Sequence, residues 1–362
     1  MRLGRLPSRR WSSLKVRAEA EATPTDDFDY PLPARAIAQQ PLGDRSASRM
    51  LVLGRGGRPE DRQVADLPSL LRPGDCLVVN DTRVRAARVR GRVAGRPGEL
   101  LLLRELGQGR FSALVRPGRL LRPGAALEGP GWRGAVLGSW PGHPGGRVVA
   151  LELEPGVELE GIGEVPLPPY LREGLADPER YQTVYSVGAG VSAAAPTAGL
   201  HLTQGLLDRV EGLGASICRV QLEIGIGTFA PIRTATIESH QMHSERYRIS
   251  PGAAAQLRAT RADGGRVVAV GTTAVRCLES SPDGAGAVCS GAGDTGLYLR
   301  PGCGFQVVDG LLTNFHQPRS SLLVMVSAFF GTETVRTAYQ QALAWGYRFL
   351  SFGDCMFGWR AI

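Results

Sequence analysis

Four histidines late in the chain, His201, His240, His243 and His316, carry most of what this sequence offers to chemistry. Imidazole titrates near neutrality, so each suits a base, an acid or a hydrogen-bond donor. His201 closes Ala195-Pro196-Thr197-Ala198-Gly199-Leu200-His201, where a proline, a glycine and a hydroxyl residue force an irregular turn. Leu202, Leu206, Leu207 and Val210 then recur at helical spacing. This order predicts His201 and its neighbouring N–H groups at a helix N-terminus, where an anion or a reacting group can be held. A capped helix start with a surface histidine fits equally well. His240-Gln241-Met242-His243-Ser244-Glu245 brings two imidazoles and a carboxylate close together, and on a helix the two rings would share a face and could take a metal. The glutamate follows the second histidine, against the H-E-x-x-H order, so a metal-free base or a solvated pair are the alternatives. His316 ends Thr313-Asn314-Phe315-His316, either a polar turn between strands or part of a site.

Binding groups sit at predicted strand ends. Gly271-Thr272-Thr273 offers N–H groups and two hydroxyls for carboxylate or phosphate oxygens, or else an ordinary helix cap. Arg276, one turn on, could meet a substrate carboxylate or an internal aspartate such as Asp309 or Asp354. Asn80-Asp81-Thr82-Arg83 follows the apolar run Cys76 to Val79, where open α/β sheets place ligands, or forms a self-bonded turn.

The elements that must position these groups alternate. Strand patterns at 50–53, 76–79, 215–224 and 266–270 are interleaved with helical ones at 34–40, 202–212, 253–262 and 333–345, and the apolar run 322–330 suits a buried strand or helix. Such alternation indicates an α/β domain with a mostly parallel sheet. From about residue 86 to 154 the texture changes to short β-type runs at 99–103, 110–115, 134–137 and 147–153, separated by Gly/Pro/Arg-rich turns. That pattern predicts a small barrel or sandwich inserted into the larger domain. The expected division is an N-terminal extension at 1–25, a discontinuous α/β catalytic domain at 26–85 and 155–362, and the insert at 86–154.

Composition removes several functions. Lys15 is the single lysine, so the body of the chain has no Walker lysine for a nucleotide phosphate and no amine for a Schiff base. The six cysteines are scattered without a C-x-x-C pair, which argues against a thiolate zinc site or a disulfide framework and for free thiols in a reducing cytoplasm. Of the net charge of +8, +4 falls in residues 1–25, a disordered tail or a transit-type leader. The mildly basic remainder permits an RNA partner without requiring one.

Ordered together, the motifs resemble one family, the S-adenosylmethionine:tRNA ribosyltransferase-isomerases of queuosine biosynthesis. The resemblance runs from about Phe28 to Phe357 through LPARAIAQQP (32–41), NDTRV (80–84), PLPPYLRE (166–173), YQTVYS (181–186), APTAGLH (195–201), GTF (227–229), HQMHSE (240–245), AVGTTAVRCLES (269–280), VVDGLLTNFHQP (307–318) and YRFLSFGDCMF (347–357). It implies a large α/β domain interrupted by a β-barrel. It also implies transfer of the ribosyl part of S-adenosylmethionine to the aminomethyl group of a 7-deazaguanine at the tRNA wobble position. Epoxyqueuosine is formed, and adenine and methionine leave. S-adenosylmethionine is a consumed co-substrate, no resident cofactor or metal is expected, and a cytoplasmic monomer is expected to act on tRNA. The sulfonium acidifies a ribose C–H, and a histidine base would remove that proton. His201, His240, His243 and His316 are then expected around one pocket. Thr272, Thr273 and Arg276 would take the methionine end, and Thr197, Asn314, Asn80, Arg83 and Asp354 would complete the binding set. Phe315, Tyr181 and Tyr185 are candidates to stack on a base. The chain departs from the family at Glu223 (usually His), at Arg85-Ala86 (usually Ile-Pro), at Leu202 (usually Phe), in a loop at 187–194 longer by one, and in the extension 1–25. Rival readings are a metal-dependent hydrolase built on His240, His243 and Glu245, and a non-catalytic RNA-binding module.

Overall fold

A computed structural model describes every residue except 1–21, 55–57, 119–120, 142–144, 189, 226, 228–229 and 361–362. Most of the N-terminal extension and the Thr228-Phe229 pair of the GTF motif therefore lie outside the described residues. Residues 22–25 are already held to the larger domain, with the Thr25 N–H donating to the Ala235 carbonyl at 2.9 Å.

In chain order the strands are β1 (Arg49–Leu53), β2 (Pro59–Gln63), β3 (Cys76–Asn80), β4 (Arg88–Val93), β5 (Arg96–Gly107), β6 (Arg110–Arg116), β7 (Ala126–Gly129) and β8 (Trp132–Ser139). They continue with β9 (Arg147–Leu153), β10 (Gly163–Glu164), β11 (Ser216–Leu222), β12 (Glu245–Ile249), β13 (Val267–Val270), β14 (Gly291–Thr295), β15 (Gly310–Asn314) and β16 (Cys355–Trp359). The helices are α1 (Leu159–Ile162), α2 (Gln204–Gly212), α3 (Pro251–Ala262), α4 (Thr272–Glu279), α5 (Ser321–Phe330) and α6 (Thr332–Ala344).

One sheet runs β14-β12-β11-β3-β13-β15-β16-β1-β2. Four of its eight pairings are parallel and four antiparallel, so the sheet is mixed where a mostly parallel one was expected. Its centre is buried on both faces, as the continuous apolar runs require. Side chains alternate across it: Cys76, Val78, Val267 and Ala269 face the core under α3–α6, whereas Leu77, Val79, Val268 and Val270 face the core under α2. The apolar run at 321–330 forms α5, which is buried on nearly every side and is capped by Ser320, whose hydroxyl accepts from the Leu323 N–H. The helix expected at 34–40 is only one 3-10 turn, Ala34–Ala36, because Ile37 leaves it to bridge Phe349.

The second sheet runs β10-β4-β5-β6-β9-β8-β7, and the β4–β7 pairing closes six of these strands into a barrel. Val89, Leu100, Leu102, Phe111, Val115, Leu127, Trp132, Val136 and Val149 fill it. β10, past the expected boundary at 154, pairs with β4 and carries the sheet to Glu164.

Candidate active site

The motif at 195–201 does not start a helix. Thr197–His201 is a 3-10 turn, and α2 begins only at Gln204, with the Thr203 hydroxyl accepting from the Leu206 N–H. His201 is thus buried at the end of that turn rather than exposed at a helix N-terminus. Gly199 is demanded by space, because a Cβ there would overlap the Tyr185 hydroxyl. The turn packs against the end of β15, and its Thr197 lines two adjoining cavities with about 370 and 350 Å³ of empty space, part of it open to solvent. Both cavities share Thr197, Asn314, His316 and Leu322.

The larger cavity also meets the start of α4. Gly271 takes φ +85° there, a backbone conformation that glycine accepts without strain, and no side chain caps the helix. Thr272 and Thr273 are buried on the cavity wall, and the Thr273 hydroxyl has no hydrogen-bond partner among the described residues. Uncapped N–H groups beside an unused hydroxyl can donate to an anion's oxygens.

His316 lies on the shared wall. Its Nε2 is 2.9 Å from the Thr313 hydroxyl, its N–H donates to the Tyr339 hydroxyl at 3.0 Å, and its carbonyl accepts from Tyr30. Two tyrosines that sequence reasoning missed, the buried Tyr339 and the partly buried Tyr30, therefore fix this peptide. Burial pushes the His316 pKa down to about 3. His201 reaches the same wall through Asn314, with 3.1 Å between Nε2 and Oδ1, while its own ring lines a separate cavity. Burial, partly opposed by the Asn314 contact, lowers its pKa to about 4. Both rings are neutral at neutral pH, and burial makes each a weaker proton acceptor than a free imidazole.

The other two histidines do not line the cavity. His243 places Nε2 3.0 Å from Glu245 Oε1, the oxygen that also accepts from the Gly225 N–H at 2.9 Å. The second Glu245 oxygen pairs with Arg276. Burial opposes the charge on Glu245, but Arg276, His243 and the Gly225 N–H outweigh it and hold the pKa at about 2. The remaining Arg276 donors reach the carbonyls of Leu297 at 3.2 Å and Thr295 at 3.3 Å. Arg276 is therefore committed internally, to a glutamate rather than to Asp309, Asp354 or a substrate. Glu245 is likewise engaged, and among the described residues no group of three His, Cys, Asp or Glu side chains is arranged to hold a metal. That removes the geometric basis of the hydrolase reading. His240 stands edge-on to Tyr298, with 5.4 Å between ring centroids.

Three predicted binding residues are bracing groups instead. The Asn80 amide bonds both the N–H and the carbonyl of Leu222 at 3.0 Å, tying β3 to β11. Arg83 pairs with Glu179 and donates to the Ser186 hydroxyl at 3.2 Å. Asp354 accepts from the N–H groups of Arg49 at 3.0 Å and Arg348 at 2.8 Å. Phe315, Tyr181 and Tyr185 are core residues and offer no open ring; Phe315 stacks on Phe349 at 4.7 Å. Glu223, at the usual histidine position, is half-buried; burial raises its pKa, and Arg246, Arg104 and Arg85 oppose that rise. Tyr170 and Ser351, hydroxyl to hydroxyl at 2.7 Å, line the smaller cavity, and both had stood inside motifs without being singled out.

Comparison with known proteins gives a consistent answer. A relative from Symbiobacterium thermophilum named S-adenosylmethionine:tRNA ribosyltransferase-isomerase is 50% identical over 337 residues, covering 91% of this chain and 98% of its own length. One of the same name from Pelotomaculum thermopropionicum is 47% identical over 336 residues, covering 91% of this chain and 98% of the relative. The crystal structure of an S-adenosylmethionine tRNA ribosyltransferase from Thermotoga maritima superposes with a TM-score of 0.53 at 33% identity, covering 92% of this chain and 99% of that one. The family model described as queuosine biosynthesis protein matches residues 25–357, and the chain belongs to that family.

Proposed function

We propose that this chain transfers and isomerises the ribosyl moiety of S-adenosylmethionine onto the aminomethyl group of 7-aminomethyl-7-deazaguanine at the tRNA wobble position. The products are epoxyqueuosine-tRNA, adenine and methionine. Family membership and half-identical relatives of that name support the reading. The observation that carries it to the site is the neutral His316 on the wall shared by two cavities, joined by His201 only through Asn314, opposite an uncapped helix start.

The co-substrate is a cation with an anionic end. A protonated histidine would repel its sulfonium, whereas a neutral one can approach the acidified ribose C–H and take the proton. In this reading His316, directly on the wall, is the base, and His201 with Asn314 orients what lies beside it. The methionine carboxylate lies at the Gly271–Thr273 helix start rather than on Arg276. His243 supports the floor through Glu245. S-adenosylmethionine is spent as co-substrate, and no resident cofactor is assigned.

The test is adenine release from S-adenosylmethionine, with and without tRNA carrying the deazaguanine precursor. Adenine formed with that tRNA, and lost in His316→Ala, is the expected result. No adenine in either case would end the proposal, and full turnover by His316→Ala would move the base elsewhere.

A further inference from the structure

On the far side of the His201–Asn314 pair lies a cleft with about 260 Å³ of empty space, part of it open to solvent, walled by Arg45, Arg180, His201, Ser351 and Phe352 among others. Two guanidinium groups meet there, and among the described residues neither is bonded to a carboxylate. Arg45 donates Nη1 to the Leu200 carbonyl at 3.1 Å and Nη2 to the Glu179 carbonyl at 3.2 Å. Arg180 donates Nη1 to the Gly43 carbonyl at 3.1 Å and Nη2 to the Leu42 carbonyl. Each plane is thus fixed by main chain alone. The nearby acids are turned elsewhere: Asp44 accepts from Ser46, Asp177 from the Glu179 N–H, and the Glu179 carboxylate pairs with Arg83.

Among the described residues no carboxylate bonds either guanidinium, although Asp177 and Glu179 lie near enough to Arg45 to attract its charge. The Arg180 Nε is buried without a partner among the described residues. Burial, and then the like charge of Arg180, lower the pKa of Arg45. Two like charges held rigidly at a cavity are unfavourable until an anion arrives, and a guanidinium fork fits phosphate oxygens two at a time. The neighbouring Ser351 borders both this cavity and the one lined by His316 and Asn314. A nucleotide whose base enters the central cavity carries phosphates on either side, and their charge must be met at the rim.

We propose that Arg45 and Arg180 form a phosphate clamp that grips the RNA backbone beside the target nucleotide. The assignment rests on the reaction proposed above and names the part of the RNA that this corner of the site holds. The carboxylate of S-adenosylmethionine is the competing anion.

The test uses Arg45→Gln, Arg180→Gln and Arg180→Lys in the full chain, with thermal melting to confirm folding. KM is measured separately for tRNA and for S-adenosylmethionine, and tRNA binding is measured across a salt series. Each Gln variant is expected to raise the tRNA KM about tenfold, leave the S-adenosylmethionine KM within about twofold, and make the slope of log affinity against log salt shallower by about one. Arg180→Lys, which keeps the charge, should retain the slope. On the unaltered protein, an anticodon stem-loop should slow modification of Arg45 and Arg180 by an arginine-directed dicarbonyl, mapped by mass spectrometry. Unchanged tRNA KM and salt slope, or absence of protection, would overturn the clamp. A rise in the S-adenosylmethionine KM alone would give the site to the carboxylate and overturn it too. Failure of the unaltered protein to release adenine would instead sink the reaction, while the salt slope and protection still read the clamp directly.

Discussion

The His201 imidazole donates from Nε2 to the Asn314 side-chain oxygen at 3.1 Å, because the Asn314 amide nitrogen is already given to the carbonyls of Leu350 at 2.8 Å and Ser351 at 3.3 Å. An amide oxygen only accepts, so the tautomer of His201 is fixed and its lone pair stays on Nδ1. Asn314→Ala is expected to lower adenine-forming turnover about 100-fold. It should also cost about 1–3 kcal/mol of stability, since two carbonyls lose their donor. Turnover that survives while the melting point falls would reduce Asn314 to a structural tie.

At the start of α4 the Thr273 hydroxyl is buried and unpartnered. Thr273→Val keeps the shape and removes an unsatisfied polar group, so melting should be unchanged or slightly higher. If that hydroxyl meets the methionine end, the KM for S-adenosylmethionine should rise about tenfold, or about 1.4 kcal/mol. A lower melting point with an unaltered KM is the opposite signature and would remove Thr273 from the binding set.

Glu245 and Arg276 form a buried ion pair, in which losing one partner strands the other. Glu245→Gln and Arg276→Met are each expected to cost about 3–5 kcal/mol. The double variant should fall short of their sum by roughly 1–3 kcal/mol, read from urea denaturation. Additive losses would show that the two charges act independently.

His201 and His316 hold their pKa values at about 4 and about 3 in the folded chain, below the ordinary 6.5. The unfolded chain therefore binds these two protons more readily. Their share of stability is complete above the ordinary value and is lost as pH falls from 6.5 towards those folded values. Each group should subtract up to about 1.4 kcal/mol per pH unit in that window. Glu245, held at about 2 against an ordinary 4.5, adds a further loss below 4.5. Urea midpoints should be level near neutrality and fall through this acid range; midpoints that stay level down to pH ~4 would contradict neutral burial of the two rings.

Much of this was legible in the residues, for reasons that differ by element. Runs such as Cys76–Asn80 and Val267–Val270 announced buried strands, and the helical spacing at 253–262 announced α3, which starts two residues earlier at Pro251. Strand direction was not legible, since alternation reports faces and is the same read either way. The sheet is mixed because β16 runs antiparallel to β15, and the strands towards the edges, β2, β12 and β14, also pair antiparallel. His316, Asn314, Thr197, Thr272 and Thr273 line one cavity because the end of β15 and the starts of the Thr197–His201 turn and α4 meet there. The partner of Arg276 was not legible, because Arg276 is on α4 and Glu245 starts the distant strand β12, where sequence spacing carries no signal. With lysine almost absent, single arginines such as Arg45 and Arg180 carried no signal either.

The place of β16 has a consequence for synthesis. Residues 355–359 insert between β15 and β1, deep in the larger sheet, so a growing polypeptide cannot complete that sheet until this segment has left the ribosome. The barrel strands end at Leu153 and are exposed far sooner, apart from the short β10. The nascent protein can therefore assemble its insert first, while the two halves that flank it wait for their last strand.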